Sequence, residues 1–192
     1  MPTTFPWRRW LWGAGAVALC VAFAHFCVQI VPADAPLPAD KAPAAKSASG
    51  ALLIPVDGVP ASALTDTFTQ ARALGERSHD AIDIMAARGR AVLAVADGRI
   101  DKIHWSEEGG RTVYQRAPDG RILYYYAHLD RYAPGLREGQ MVRRGQRIAT
   151  VGSTGNADPG APHLHFAIHR ASPDTPWHGG DPINPYPLLT EP

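Results

Sequence analysis

Three clusters in this chain hold residues able to bind a metal or move a proton. The first is His79-Asp80-Ala81-Ile82-Asp83. The second is Tyr124-Tyr125-Tyr126-Ala127-His128-Leu129, and the third is His163-Leu164-His165-Phe166. His163 and His165 are two residues apart, so on a strand both point to one face. His79 and Asp83 can also share a face, on a strand or on a turn of helix. Two imidazoles and one carboxylate leave the fourth position of a tetrahedral zinc open, the arrangement of a catalytic site and not of a closed structural one. The only cysteines, Cys20 and Cys27, lie far from all three clusters. A disulfide scaffold and a cysteine-rich zinc site are therefore excluded.

Beyond Ser78 the elements that must position these residues read as strands. Ala91–Ala96 is an apolar run ending in Asp97-Gly98, a tight-turn signal, with Arg99–Ile103 as its expected hairpin partner. Arg111–Arg116 and Arg121–Ala127 flank Pro118-Asp119-Gly120, which predicts a second hairpin. Met141-Val142 and Arg147–Val151 are short strands separated by Arg144-Gly145, and Leu164–His169 alternates as another. Ala61–Glu76 has room for a turn or two of helix at most. Gly and Pro number 18 each, which favours turns over long helices. The expected fold is mainly β, an antiparallel sandwich or barrel-like sheet, over residues 51–192.

The N-terminal part differs in kind. Residues 1–9 carry Arg8 and Arg9, and residues 10–31 form an apolar run in which only His25 and Gln29 are markedly polar. As a helix that run is about 33 Å long, enough for a bilayer core of about 30 Å. The flanking arginines suit a cytoplasmic N-terminus, and Trp7, Trp10 and Trp12 suit the membrane interface. Two readings stay open: a retained transmembrane anchor, or a signal peptide cleaved near Ala33-Asp34-Ala35. Cys20 and Cys27 read as small apolar side chains within this run. Residues 32–50 are rich in Ala and Pro, an extended spacer that builds no core. The net charge is +1, from 19 Lys and Arg against 18 Asp and Glu. That near-neutral balance argues against a nucleic-acid partner.

The motifs together resemble the lysostaphin-type, or LytM-domain, zinc metallopeptidases, whose fold is the duplicated hybrid motif. The resemblance covers roughly residues 75–187. It rests on His79-x-x-x-Asp83, on Gly89-x-x-Val92-x-Ala94-x-x-x-Gly98-x-Ile100, and on Tyr126-x-His128-Leu129. Gly139-Gln140-x-Val142-x-x-Gly145-Gln146-x-Ile148-Ala149, Gly152-Ser153-Thr154-Gly155 and His163-Leu164-His165-Phe166 extend it. Asp181-Pro182 and Asn184-Pro185 resemble the family's closing segment. The resemblance implies that His79, Asp83 and His165 hold one Zn2+, and that His128 and His163 are catalytic. It implies hydrolysis of peptide cross-links in bacterial peptidoglycan, with metal-activated water attacking the scissile carbonyl. Tyr126, Ser153 and Thr154 are expected on the substrate side. Ala81 stands where the family has glycine, which is expected to narrow that loop's approach to substrate.

A competing reading comes from family relatives that lack activity and instead activate cell-wall amidases. A carrier domain of related fold is a third, but it leaves Asp83 unexplained. Export and anchoring place the domain in the cell envelope, tied to the inner membrane on its periplasmic side, or secreted if the leader is cleaved. His104, His169 and His178 are not assigned to the chemistry. Trp177 is read either as a substrate contact or as a core lid, and Arg131, Arg143 and Arg144 as a solvated face.

Overall fold

A computed structural model describes residues 52–72 and 77–191. The membrane-run and linker expectations fall on residues 1–50, outside the described residues. Among the described residues no helix is long and apolar enough to cross a membrane.

A 3-10 turn at Ala61–Ala63 precedes the strands. These are β1 (Ala71–Arg72), β2 (Arg77–Ser78), β3 (Ile82–Met85), β4 (Ala91–Leu93), β5 (Gly98–Ser106) and β6 (Gly110–Arg116). They continue as β7 (Ile122–Tyr132), β8 (Met141–Val142), β9 (Arg147–Val151), β10 (His163–Arg170) and β11 (Asp181–Ile183). A short helix, α1 (Pro185–Thr190), follows. β1 and β2 pair with each other, and the other nine strands form one branched sheet. The expected mainly β, antiparallel architecture is what is observed.

β7 and β10 organise this sheet. One edge of β7 pairs with β6, while its other edge meets β10 over Ile122–Ala127 and then β9 over Leu129–Tyr132. β10 lies between β7 and β3, and the register places His165 opposite both Asp83 and Ala127. Side chains alternate across the pleat. Ile82 and Ile84 of β3 and Leu164, Phe166 and Ile168 of β10 are buried in the core. Asp83, His163 and His165 therefore fall on the opposite face. Each such apolar side chain contributes roughly 1.5–3 kcal/mol when fully buried. A one-residue slip of β10 would expose three of them and bury the histidines, so the core sets the register that builds the site.

The hairpin expected at Asp97-Gly98 does not form. β4 pairs with β9, and β5 pairs with β6 and β8. A two-residue hairpin of that kind needs positive φ at both residues, and neither Asp97 nor Gly98 has it. Gly98 serves a close approach instead, since a Cβ there would clash with the Arg116 carbonyl. Asp97 accepts the Arg144 N–H at 2.7 Å, tying the bend to the turn before β9. The Pro118-Asp119-Gly120 hairpin forms as expected: Gly120 has φ +75°, and Asp119 accepts the Arg121 N–H at 2.9 Å. Helix α1 was not expected. Its signal was in the sequence, because Asn184 caps the Tyr186 N–H and Pro185 opens the helix.

Candidate metal centre and active site

The pairing of β3 with β10 brings the first and third clusters into contact. His79 Nε2 lies 3.0 Å from His165 Nδ1 and 3.1 Å from Asp83 Oδ1. His165 Nδ1 lies 3.2 Å from the same oxygen. Two donors each about 2.0–2.1 Å from a tetrahedral zinc are about 3.3 Å apart. The three atoms thus converge at the spacing such an ion needs, and His79, Asp83 and His165 can hold a metal.

Their protonation states suit a cation. Burial alone would raise the Asp83 carboxyl, but hydrogen bonds with His165 and His79 outweigh it and hold the group well below its usual range. Burial pushes His165 down, against the opposing pull of Asp83. An ionised carboxylate with neutral imidazoles is the state that binds metal. The backbone also dictates tautomers. His79 Nδ1 donates to the Thr67 carbonyl at 2.9 Å, which leaves Nε2 as the lone pair facing the other two ligands.

His128 and His163 stand beside this centre, their rings 5.0 Å apart. His128 is 5.6 Å from the His165 ring, and His163 Nε2 is 3.8 Å from Asp83 Oδ1. Each is oriented by a carbonyl. His128 Nδ1 donates to Thr154 O at 2.8 Å, and His163 Nδ1 donates to Ala161 O at 2.9 Å. With Nδ1 donating, each ring turns Nε2 to the cavity, where it accepts a proton whenever the ring is neutral. His128 has φ +58°, a left-handed conformation that is uncommon away from glycine. It sits at a bulge: Tyr126 opposes Val113 and Leu129 opposes Arg111, so β7 carries one more residue than β6 there.

These residues line a cavity of about 590 Å3 together with Ser78, Asp80, Glu108, Tyr125 and Asn156. All five histidine and aspartate positions singled out by the sequence are brought together in it.

The sequence profile of peptidase family M23 matches residues 77–185. The chain belongs to peptidase family M23. It is similar to the L-Ala–D-Glu endopeptidase of Bacillus subtilis strain 168, with 34% identity over 129 residues, 64% of this chain and 38% of that protein. It is also similar to the murein hydrolase activator NlpD of Escherichia coli K12, with 33% identity over 116 residues, 60% of this chain and 27% of that one. The chain thus matches less than two fifths of either relative's length. Among solved structures it is similar to the catalytic domain of lysostaphin from Staphylococcus simulans, at TM-score 0.56 and 28% identity. That likeness covers 67% of this chain and 92% of the lysostaphin domain.

Burial corrects two expectations about the M23 domain's substrate side, those for Tyr126 and Ala81, while Ser153 and Thr154 are placed outside the cavity lining. Tyr126 is wholly buried, and its hydroxyl donates to Gln115 Oε1 at 2.7 Å while accepting the Val95 N–H at 3.1 Å. In a regular strand Tyr126 and His128 would share a face, but the bulge breaks that parity. Tyr125 lines the cavity instead, its ring 5.9 Å from that of His165. Burial raises the Tyr125 phenol well above its usual range, so it stays protonated. Thr154 does not line the cavity: it orients His128 through its carbonyl, and its hydroxyl donates to Leu129 O at 2.8 Å. Ser153 also lies off the cavity and accepts from Arg88. Ala81 is fully buried, so its methyl does not narrow the approach to the site.

Tyr125, Tyr114, Trp177 and His104 form a row leading away from the centre. Tyr125 packs on Tyr114 at 4.6 Å, Tyr114 on Trp177 at 4.8 Å, and Trp177 on His104 at 5.1 Å. Arg116 pins the loop that carries Trp177. Its guanidinium donates to Asp101 at 2.6 Å, to Ser172 O at 3.0 Å and to Thr175 O at 2.8 Å. The ion pair is buried on both sides, with side chains 9% and 8% exposed. Replacing Arg116 with Met leaves Asp101 paired with Arg99 but removes the hydrogen bonds to the Gly120, Ser172 and Thr175 carbonyls, and is expected to cost about 1–3 kcal/mol in urea unfolding.

Burial also makes stability pH-dependent. It pushes His128 down to about 4, against the opposing hydrogen bond to Thr154, while an unfolded His titrates near about 6.5. Between these values the unfolded chain holds the proton and the folded chain does not. Metal-free protein is therefore expected to lose stability as pH falls from about 6.5 to about 4. Urea midpoints in a chelating buffer measure this, and His128→Asn is expected to flatten the slope.

Proposed function

We propose that this chain is a zinc-dependent endopeptidase that hydrolyses peptide cross-links in bacterial peptidoglycan. The observation that carries the reading is the joint convergence of the His79, Asp83 and His165 donor atoms beside His128 and His163. Both of the latter have Nδ1 on a backbone carbonyl, which leaves Nε2 for proton transfer. A bound zinc supplies a Lewis acid and lowers the pKa of the water it holds towards about 7. One of His128 and His163 takes the proton of the attacking water at Nε2, and that proton passes on to the leaving amine, from the same ring or by way of the other. The Thr154 and Ala161 carbonyls keep both rings in the required tautomer. The relatives named as an L-Ala–D-Glu endopeptidase and a peptidoglycan DD-endopeptidase support the substrate class.

Residues 10–31 fit an inner-membrane anchor, and residues 32–50 a spacer holding the domain on the periplasmic side. If the leader is cleaved, the same domain is secreted. A second reading, an amidase activator, is favoured by the similarity to NlpD. An activator has no need of a complete ligand set beside two acceptor histidines. One experiment separates the two: zinc content is measured, then release of muropeptides from sacculi is assayed with and without an amidase. One zinc per chain and release without amidase supports the peptidase. No zinc, with release only when amidase is added, supports the activator.

A further inference from the structure

The first ligand motif is braced by a strap lying outside the family-matched stretch. Asp66 to Gln70 runs beside Ser78 to Asp83 and meets it repeatedly. Asp80 N–H donates to Phe68 O at 3.0 Å, His79 N–H to Gln70 O at 2.9 Å, and the Ser78 hydroxyl to Phe68 O at 3.1 Å. The strap is anchored at its far side, where Asn184 Nδ2 donates to Asp66 Oδ2 at 3.0 Å. Asn184 also caps α1, so the strap is tied to the segment that closes the domain.

Thr67 of this strap reaches two of the metal ligands, and it meets His79 at the ring. Its carbonyl accepts the Nδ1–H of His79 at 2.9 Å. Its hydroxyl accepts the backbone N–H of Asp83 at 3.1 Å and lies 3.5 Å from the Ala81 carbonyl. The first bond fixes the tautomer and ring plane of His79. The second fixes the start of the strand from which the Asp83 carboxylate projects. Thr67 is buried, at 9% exposure, so water does not readily replace its hydroxyl.

We propose that Thr67 is a positioning residue for the metal centre, holding His79 and Asp83 in mutual register from ten residues upstream of the matched stretch. This rests on the reading of His79, Asp83 and His165 as metal ligands. Outer partners of this kind typically alter metal affinity by 10–100-fold when removed. The side-chain contribution is testable because valine keeps the shape of threonine and loses only the hydroxyl.

The test measures zinc affinity of the full chain by competition with a chelating dye, for wild type, Thr67→Val, Thr67→Ala and Thr67→Ser. Valine and alanine are expected to weaken zinc binding by about 10-fold or more, and serine to stay within about threefold of wild type. Serine shares the hydroxyl with wild type and lacks the methyl, so that order cannot arise from packing. Amide hydrogen exchange of metal-free protein gives a second readout: the Asp83 amide is expected to lose protection in Val and Ala and keep it in Ser. Unchanged zinc affinity and unchanged Asp83 protection in Val and Ala would overturn the proposal, as would a serine variant as weak as alanine. Wild type that binds no zinc, with the exchange pattern still as expected, sinks the metal reading and leaves the brace standing.

Discussion

Asp83→Ala is expected to abolish metal binding and reduce peptidoglycan hydrolysis by at least about 10³-fold, because the Lewis-acid contribution is worth several kcal/mol. One carboxylate oxygen lies within 3.2 Å of both ligand histidines, so its loss leaves two neutral imidazoles and no anionic donor. The fold is expected to survive. Asp83 lies on the face of β3 away from the core, and Ile82 and Ile84 keep their burial on either side. The desolvation of Asp83 is outweighed by its hydrogen bonds with His165 and His79, so the metal-free variant is expected to be somewhat less stable while still unfolding cooperatively. Metal content by elemental analysis, alongside an unfolding transition, checks both halves of this expectation.

His128→Asn is expected to separate metal binding from turnover. His128 is not among the converging donor atoms, so one zinc per chain should remain. Its proposed role is proton transfer, which typically contributes 10²–10⁴-fold, and kcat is expected to fall by about that factor with KM little changed. Asparagine is the informative replacement because it tolerates the left-handed φ of +58° that most side chains resist. An alanine at this position would add backbone strain to the loss of the imidazole. Elemental analysis and steady-state kinetics on a soluble cross-linked muropeptide measure the two quantities separately. Zinc lost together with activity would show that His128 acts through the metal site and not on the proton.

The parts of this structure that were readable in the sequence are those governed by local pattern. The alternation of Leu164, Phe166 and Ile168 with His163, His165 and His169 gave β10 its two faces, and burial follows that alternation. The turn chemistry at Pro118-Asp119-Gly120 placed one hairpin correctly. Strand partnership was not readable in the same way. Val92 pairs with Ala149, not across Asp97-Gly98, because pairing is decided by which apolar faces meet in the core. The bulge at His128 has no turn residue to announce it, so Tyr126 was placed in the site and Tyr125 was missed. Thr67 carries no signal at all. Its importance comes from a carbonyl and a hydroxyl that long-range folding sets against His79 and Asp83. The residues that converge were legible because they are side-chain chemistry at short spacing, whereas their supports are contacts from distant segments.

The most direct test is product analysis. The zinc-loaded protein, free of any amidase, is incubated with a purified cross-linked muropeptide dimer, and the products are analysed by mass spectrometry. Two monomers whose masses sum to the dimer plus one water, absent in chelator and absent with Asp83→Ala, is the predicted result. A dimer left intact by zinc-loaded protein, or opened equally well by Asp83→Ala, would contradict the account.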